Sequence, residues 1–335
     1  MAGDRQPDLY LLQFAHAKDF ILQANVKKPR ILVVRGGAIG DFIMTLPAIG
    51  ALRERWPEAH IEILGYPHIA ELAQGRYYAD AMRSIDAKAM TGFFIPHGVL
   101  DPALMEYFGG FNVVISYLFD PDRIFSNNVR SCGVKQVIDA SPRPENTHAA
   151  EHYCRPLESL AVYVEAPRPR IHPNESDREA AAKFLKMAGR EPLVAIHPGS
   201  GSEKKNWPVE KFAALSRWLT DELAAQLLIV RGEADERATQ KLAELLGERP
   251  IIVAKGLKLV ELAAVLERCV LFLGNDSGIT HLAAAVGTPT VAVFGAASFP
   301  IWEPLGQHTR VVRFGQQDVA NVRAAIEQLW GVPRG

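Results

Sequence analysis

The feature that most constrains the fold of this chain is an alternation of short β-branched runs with longer segments of helical period, beginning at residue 30. Such alternation is typical of parallel sheets covered by helices, because the crossover between two parallel strands usually contains a helix. In the first half it predicts buried strands at RILVVR (30–35), HIEILGY (60–66) and NVVISYLF (112–119). In the second half it predicts PLVAIHP (192–198), QLLIVRG (226–232), PIIVAKG (250–256), CVLFLGN (269–275) and TVAVFG (290–295).

The two sets of strands are separated by EAPRPRIHPNESD (165–177), where prolines and polar residues interrupt both periods. A chain of 335 residues also exceeds the length that one core usually supports. We therefore predict an α/β protein with two doubly wound, Rossmann-like domains that face a cleft. The predicted boundaries are a helical extension at 1–29, a first domain at 30–165, a hinge at 166–177 and a second domain at 178–335.

Composition excludes several classes of protein. The formal net charge of −1 argues against a nucleic-acid binder, whose surface would be strongly basic. No stretch approaches the roughly 18 apolar residues of a membrane span, and the N-terminus lacks the apolar run of a signal peptide. Cys132, Cys154 and Cys269 form no CxxC pair, which favours reduced thiols. We expect a cytoplasmic protein with at most peripheral membrane contact.

Ligands of open parallel sheets bind beyond the carboxyl ends of the strands, so the loops that follow the apolar runs are the candidate sites. The first is RGGAIGDFIMTLPAIGALRERW (35–56), a glycine loop followed by a helical stretch that Pro47 should kink or restart. Its glycines only loosely match the dinucleotide fingerprint GxGxxG. Asp41 in this loop has two interpretations. It is either a helix cap or a carboxylate at the cleft that accepts a proton from a substrate hydroxyl.

The second candidate is HPGSGSEKKNWPVEKF (197–212), a strand-to-helix junction rich in small residues. Ser200, Gly201 and Ser202 would let backbone amides approach an anion, and Lys204 or Lys205 would supply a point charge. The segment lacks the GKS ending of a Walker loop, which disfavours hydrolysis of nucleoside triphosphates. We interpret it as an anion-binding loop.

The third candidate is GNDSGITHLAAAVGTP (274–289), a polar start to an otherwise apolar helix. Asp276 or Ser277 would cap a helix that begins near Gly278, and Gly287 would end it. Free backbone amides at that N-terminus favour a phosphate, and Asp276 would then pair with a lysine such as Lys205 or face sugar hydroxyls. The candidate phosphate-binding residues of this stretch are Asp276, Ser277, Gly278 and His281.

Weaker patterns remain. Glu233 in VRGEADERA either binds ribose hydroxyls or is a solvated acid at a helix N-terminus. FDPDR (119–123) has the DxD spacing of metal-dependent glycosyltransferases, with Asp120 and Asp122, but so short a match is common by chance. The neighbouring cations form either a solvated face or a site for an anionic acceptor; they are Arg123, Arg130 and Lys135.

Three stretches together resemble a known family. ILVVRGGAIGDFIMTLPAIGALRERWP resembles the N-terminal motif of glycosyltransferase family nine, the ADP-heptose:lipopolysaccharide heptosyltransferases. AIHPGSGSEKKNWPVEKFAALSRWL and LFLGNDSGITHLAAAVGTPTVAVFG resemble its two C-terminal motifs. The resemblance runs from about residue 30 to about residue 330 in the same order.

The resemblance implies a fold of the glycosyltransferase B type, with the acceptor on the first domain and the nucleotide sugar on the second. It implies inverting transfer of a heptose from ADP-heptose to an anionic glycolipid acceptor at the inner face of the bacterial inner membrane, with no metal or cofactor. Asp41 matches the general base, Lys205 the lysine on the donor phosphates, and Glu233 a donor nucleoside ligand. The alternatives are a nucleotide-sugar epimerase or hydrolase, and a nucleotide-sugar binding protein without catalysis.

Overall fold

The N-terminal domain is built on a five-stranded parallel sheet. The computed structural model describes residues 28–186, 188, 192–232, 235–313 and 315–332, so the predicted extension at 1–29 lies almost entirely outside the described residues. The sheet has the order β3-β2-β1-β4-β5. Its strands are β1 (Arg30–Arg35), β2 (His60–Gly65), β3 (Ala81–Ser84), β4 (Val113–Ser116) and β5 (Gln136–Asp139).

Helices cover both faces of this sheet. They are α1 (Ile39–Arg55), α2 (Pro67–Ala70), α3 (Pro102–Gly109), α4 (Ile124–Ser131) and α5 (Ala149–Cys154). Pro47, which we expected to kink the chain or restart the helix, lies inside α1 without ending it. Short 3-10 helices lie at Lys88–Phe94 and Arg155–Leu160.

The C-terminal domain repeats the plan with six parallel strands in the order β11-β10-β9-β6-β7-β8. They are β6 (Leu193–His197), β7 (Gln226–Arg231), β8 (Ile251–Lys255), β9 (Leu271–Asn275), β10 (Thr290–Val293) and β11 (Thr309–Val312). The helices are α6 (Glu175–Leu185), α7 (Val209–Glu222), α8 (Glu236–Leu246), α9 (Leu259–Glu267), α10 (Gly278–Ala285) and α11 (Val319–Leu329). Two 3-10 turns lie at Glu203–Lys205 and Pro300–Trp302.

The central strands are apolar throughout because both of their faces are buried. In β1, Ile31 and Val33 belong to one hydrophobic cluster, whereas Leu32 and Val34 belong to the cluster on the opposite face of the sheet. The first cluster continues into the C-terminal domain, where it includes Ala195. Strands buried on both sides read as continuous apolar runs, which is why the sequence predicted them.

All eight predicted strands are present, and the fold class of two parallel-sheet α/β domains is confirmed. Three strands were not predicted: β3, β5 and β11. Each is four residues long and lies at the edge of its sheet, where it has one neighbouring strand. Short edge strands carry fewer buried apolar side chains, so their pattern is weak.

The domains are joined by a segment without helix or strand, residues 161–174, which overlaps most of the predicted hinge. Two contacts fix this connection to the first domain. The hydroxyl of Tyr78 donates to the carbonyl of Arg170 at 2.6 Å. Arg76 donates through Nε and Nη2 to Asp177, in the first turn of α6, at 2.6–2.8 Å. Across the cleft, α1 packs against α10, and His148 Nε2 lies 2.8 Å from the carbonyl oxygen of Glu303.

Candidate active site

Asp41 lies in the first turn of α1, directly beyond the carboxyl end of β1. Its Oδ2 accepts a hydrogen bond from the backbone N–H of Ala38 at 2.9 Å, so the carboxylate caps the helix as one interpretation predicted. Gly37 has a φ of +100°, and a Cβ there would lie 2.8 Å from the same oxygen. A glycine is therefore required at this turn, both for the backbone conformation and for the close approach of the carboxylate.

The second oxygen of Asp41 faces a buried cation that the sequence analysis did not identify. Arg35 Nη2 lies 3.7 Å from Asp41 Oδ1, and the Arg35 side chain is 2% exposed. The guanidinium stacks on Tyr153 at 4.5 Å and donates through Nη1 to the carbonyl of Tyr117 at 3.3 Å. The only signal for Arg35 in the sequence is a charge at the last position of an apolar strand.

The tyrosines around Arg35 do not compete with Asp41 as proton acceptors. Burial raises the pKa of Tyr153 to about 12, although the charge of Arg35 opposes the shift. Burial also raises the pKa of Tyr117. Both phenols therefore stay protonated at neutral pH, and Asp41 is the carboxylate beside them.

Asp41 also lines a cavity of about 580 Å³ at the carboxyl ends of β1 to β4. Most of the wall is apolar or aromatic and includes Tyr66, Met90, Phe94, Leu118 and Phe119. The cavity is wide enough for a sugar unit, and its position matches the crevice where the order of an open sheet reverses.

The cations predicted to hold the acceptor do not line this cavity. Arg130 pairs with Asp139 at 2.7 Å, and Arg123 precedes α4 with a left-handed φ of 55°. Lys135 is exposed on the turn before β5. Their role in acceptor binding stays a prediction.

The DxD pattern belongs to the start of α4. Asp120 accepts hydrogen bonds from the backbone of Phe125 and Ser126 at 3.3 and 2.9 Å, and from the Ser126 hydroxyl at 3.0 Å. Asp122 is exposed. In the part of the chain that the structure describes, no group of three His, Cys, Asp or Glu side chains converges as a metal site would require.

A second cavity, of about 380 Å³, lies between the two domains. Ala38 and Ile39 of the first domain line it together with Ser200, Ser277 and Gly278 of the second. The two domains approach closely here, because a Cβ on Gly278 would lie 2.8 Å from the Cβ of Ile39. The first turn of α1 therefore contacts both cavities, and it carries Asp41.

The loop after β6 supplies the predicted lysine. Lys205 lies in the 3-10 turn Glu203–Lys205, and its Nζ pairs with Asp276 Oδ2 at 2.9 Å. Three roles were considered for Asp276: a helix cap, a partner for a lysine and a ligand of sugar hydroxyls. The structure shows the pair with Lys205. The Lys205 side chain is 34% exposed, so the cation stays accessible to solvent, whereas Asp276 is 6% exposed.

The small residues of the same loop are held by asparagines that the sequence analysis did not identify. The Ser200 hydroxyl bonds Asn206 Oδ1 at 2.7 Å, and Gly201 lines the cavity between the domains. Asn275, which is fully buried, accepts from the Trp207 N–H and donates to the carbonyl of residue 198, both at 2.8 Å. These bonds join the loops after β6 and β9. Ser202 precedes the 3-10 turn without capping it through its side chain.

The N-terminus of α10 has the predicted form. Ser277 is the N-cap and accepts from the Thr280 N–H at 3.4 Å, the helix begins at Gly278, and Gly287 follows it with a φ of +88°. The first N–H groups of a helix have no acceptor within it, and the helix dipole places partial positive charge there. This end of α10 is therefore suited to an anion.

His281, one turn further along α10, is 5% exposed and lies against Gly40 of the first domain. Burial lowers the pKa of His281 to about 4; the charges of His148 and Lys205 act in the same direction, and Asp276 opposes them. The imidazole is therefore neutral near pH 7, and it would act toward a ligand as a hydrogen-bonding group and not as a cation.

Of the predicted residues, Asp41 lines the first cavity, and four line the cavity between the domains: Ser200, Gly201, Ser277 and Gly278. Lys205 pairs with Asp276, which precedes the N-cap of α10, and His281 lies against Gly40. Glu233, the predicted nucleoside ligand, lies outside the described residues. A buried histidine at the end of β6, His197, was not predicted although it lines the cavity between the domains. Its only signal was its position before the glycine loop.

Comparison with known proteins shows the family of this chain. Residues 125–329 match the family profile described as glycosyltransferase family 9 (heptosyltransferase). Lipopolysaccharide heptosyltransferase 2 of Escherichia coli K12 is 24% identical over 311 residues, which cover 85% of this chain and 88% of the relative. Lipopolysaccharide heptosyltransferase 3 of the same strain is 23% identical over 286 residues, covering 79% and 82%.

Solved structures share the fold. A family 9 glycosyl transferase from Veillonella parvula superposes with a TM-score of 0.74 at 23% identity, covering 91% of this chain and 98% of that chain. The E. coli heptosyltransferase WaaC with ADP superposes with a TM-score of 0.68 at 18% identity, covering 90% and 99%. No helix among the described residues is long and apolar enough to cross a membrane. From the matched profile and the site geometry, this chain belongs to glycosyltransferase family 9, the heptosyltransferases.

Proposed function

We propose that the protein moves a heptosyl residue from ADP-heptose to a sugar of the lipopolysaccharide core, with inversion at the anomeric carbon. The observation that carries this proposal is the first turn of α1, which contacts both cavities and carries Asp41 in the wall of the first. The donor would occupy the cavity between the domains, and the acceptor the cavity of the N-terminal domain. The relatives named for heptosyl transfer to lipopolysaccharide support the choice of sugar and acceptor.

The diphosphate of the donor would lie at the N-terminus of α10. The backbone amides there carry partial positive charge, and the ammonium of Lys205 lies close by, paired with Asp276, the residue before the N-cap. Binding would draw Lys205 from Asp276 toward the phosphates. The solved structure of the E. coli heptosyltransferase WaaC with ADP supports adenine as the base of the donor nucleotide.

The chemistry is a single displacement. The acceptor hydroxyl oxygen attacks the anomeric carbon of the heptose, and its proton passes to Asp41. The bond between that carbon and the β-phosphate oxygen breaks, and the electron pair leaves with ADP. Lys205 and the α10 amides stabilise the charge that develops on the leaving oxygen, which is the contribution expected of a prearranged electrostatic site.

We further propose that transfer needs no metal, because Lys205 and the helix N-terminus occupy the position where a divalent cation would neutralise the diphosphate. Transfer rates should be unchanged by EDTA. The acceptor is membrane-anchored, so we expect the enzyme to contact the inner face of the inner membrane at its surface only.

The test uses two variants, one at the proposed general base and one at the proposed ligand of the donor phosphates. Asp41→Asn should lower kcat by about 10²- to 10⁴-fold, the usual contribution of a general base, and leave the ADP dissociation constant nearly unchanged. Lys205→Met should act mainly on binding: ADP affinity should fall at least about tenfold, because a charged hydrogen bond is lost. Calorimetry with ADP, GDP and UDP, and transfer to truncated lipopolysaccharide, supply both readouts.

Near-normal turnover of Asp41→Asn would remove Asp41 as the base. Tighter binding of GDP or UDP than of ADP would overturn the donor assignment. Consumption of ADP-heptose at the same rate with and without acceptor would favour a hydrolase or epimerase instead of a transferase.

A further inference from the structure

His197 lies where three loops of the donor cavity converge. It is the last residue of β6, which runs between β9 and β7 in the sheet. The chain proceeds from β6 to one side through β7 and β8, and then returns to the other side through β9. The order therefore reverses between β6 and β9, which is where open α/β sheets bind their ligands.

The imidazole bridges the loops that follow both neighbouring strands. Its Nε2 lies 2.8 Å from Asp235 Oδ2, in the loop after β7. Its Nδ1 lies 3.1 Å from the hydroxyl oxygen of Ser277, in the loop after β9. The side chain is 1% exposed, so water does not compete for these bonds. Gly199 completes the fit, because a Cβ there would lie 2.3 Å from Asp235 Oδ1.

The protonation of this network follows from its partners. Burial alone would raise the pKa of Asp235, but the hydrogen bond and charge of His197 more than offset it, so the pKa of Asp235 is lowered. Asp235 is therefore a carboxylate, which only accepts, and Nε2 of His197 must donate to it. The other nitrogen, Nδ1, lies against the Ser277 hydroxyl, so the imidazole contacts both loops at once.

The contact with His197 is one of three that engage the Ser277 side chain. Its oxygen lies 3.1 Å from Nδ1 of His197 and 3.2 Å from Thr280 Oγ1, and it accepts from the Thr280 N–H at 3.4 Å. The Ser277 hydroxyl is thus used to hold the helix N-terminus. The backbone amides of the first turn of α10 remain for the ligand.

We propose that His197 is a positioning residue for the donor diphosphate: it ties the N-terminus of α10 to the loop after β7. In this role His197 sets the position of the α10 amides without itself contacting the reacting atoms. The inference rests on the proposed function, since it takes the ligand of this site to be a nucleoside diphosphate.

Two conservative variants separate the arms of the bridge. In His197→Gln the longer side chain places its amide near the position of Nε2, so the variant keeps a donor for Asp235 but loses the bond to Ser277. In His197→Asn the shorter side chain places its amide near the position of Nδ1, so the variant keeps the bond to Ser277 but loses the bond to Asp235. We expect His197→Gln to weaken ADP binding and raise the donor KM about tenfold, the effect of one buried hydrogen bond, with little change in acceptor KM. His60→Gln, at the opposite end of a strand in the other domain, is the control and should match the wild type.

A double-variant cycle gives the second readout. If Ser277 acts through His197, then Ser277→Ala should add little to the loss in ADP affinity already caused by His197→Gln. A Ser277 hydroxyl that bonds the phosphate directly would instead give additive losses, and this would overturn the inference. His197→Asn should retain more ADP affinity than His197→Gln, because it keeps the contact with the cap.

The remaining outcomes are also decisive. Equal ADP affinity and donor KM in the wild type and both His197 variants would show that the bridge does not position the donor. A fall in Tm with proportionate losses in donor and acceptor parameters would assign His197 to the core alone. If the wild type binds no nucleoside diphosphate, the proposed function is wrong and this inference falls with it.

Discussion

The buried imidazole of His281 makes a quantitative prediction about pH and stability. Its pKa is lowered from 6.5 to about 4 by burial in α10 against Gly40. In the unfolded chain the same side chain would titrate near its ordinary value. Between these two values the unfolded state binds more protons than the folded state, so the contribution of His281 to stability is complete above about pH 6.5 and is lost as the pH falls toward 4.

The magnitude follows from the size of the shift. One pKa unit corresponds to about 1.4 kcal/mol, so a shift of about 2.5 units is worth about 3 kcal/mol when it is fully expressed. Between pH 7 and pH 4.5 most of that free energy is lost, about 2 kcal/mol. Carboxylates titrate in the same range, so the wild type alone does not isolate His281.

The assay is therefore a comparison of slopes. Urea denaturation of the wild type and of His281→Gln is followed by tryptophan fluorescence at half-unit steps from pH 7 to pH 4.5. The variant lacks the titrating group, so its stability should fall by about 2 kcal/mol less than that of the wild type over this range. His68→Gln, at an exposed position in α2, should follow the wild type. Parallel curves for the wild type and His281→Gln would refute the reasoning, as would a direct NMR titration that places His281 near pH 6.5.

Two further predictions concern the contact between the domains. Gly278→Ala would place a methyl group 2.8 Å from the Cβ of Ile39, so α1 and α10 must separate; we expect weaker ADP binding and a stability loss of about 1–3 kcal/mol, measured by calorimetry and by denaturation. Arg76→Met would leave Asp177, 5% exposed, without its cation; unfolding should become easier by about 3–5 kcal/mol. The double variant Arg76→Met/Asp177→Asn should recover part of that loss, because the amide can still cap α6, and failure to recover would contradict the role of the ion pair.

The strands show how far the sequence could predict the fold. The eight runs recognised in the sequence were mostly the central strands, where burial on both faces makes the run continuously apolar. The edge strands AMRS, QVID and TRVV carry polar or charged residues because one side of each lacks a neighbouring strand. Their assignment depends on pairing with β2, β4 and β10, which a local pattern does not contain.

The site divides in the same way. Asp41, Lys205 and Ser277 were predicted because each stands in a loop whose local composition suits a helix start or an anion. Arg35 and His197 were not predicted, because each is a single polar residue at the end of an apolar strand. What distinguishes them is the set of groups that surround them in the folded protein, contributed by segments about 40 to 120 residues away in sequence.

By itself the sequence determined the two-domain α/β plan, the positions of the loops after the central strands, and the helix cap at Ser277, because burial, periodicity and capping act over a few residues. The tertiary structure alone decided that the first turn of α1 lies between two cavities, that Lys205 pairs with Asp276, and that His197 joins the loops after β7 and β9. These are contacts between segments distant in the chain. Their geometry depends on the spatial order of the parallel strands in each sheet, and that order is established only when the sheet forms.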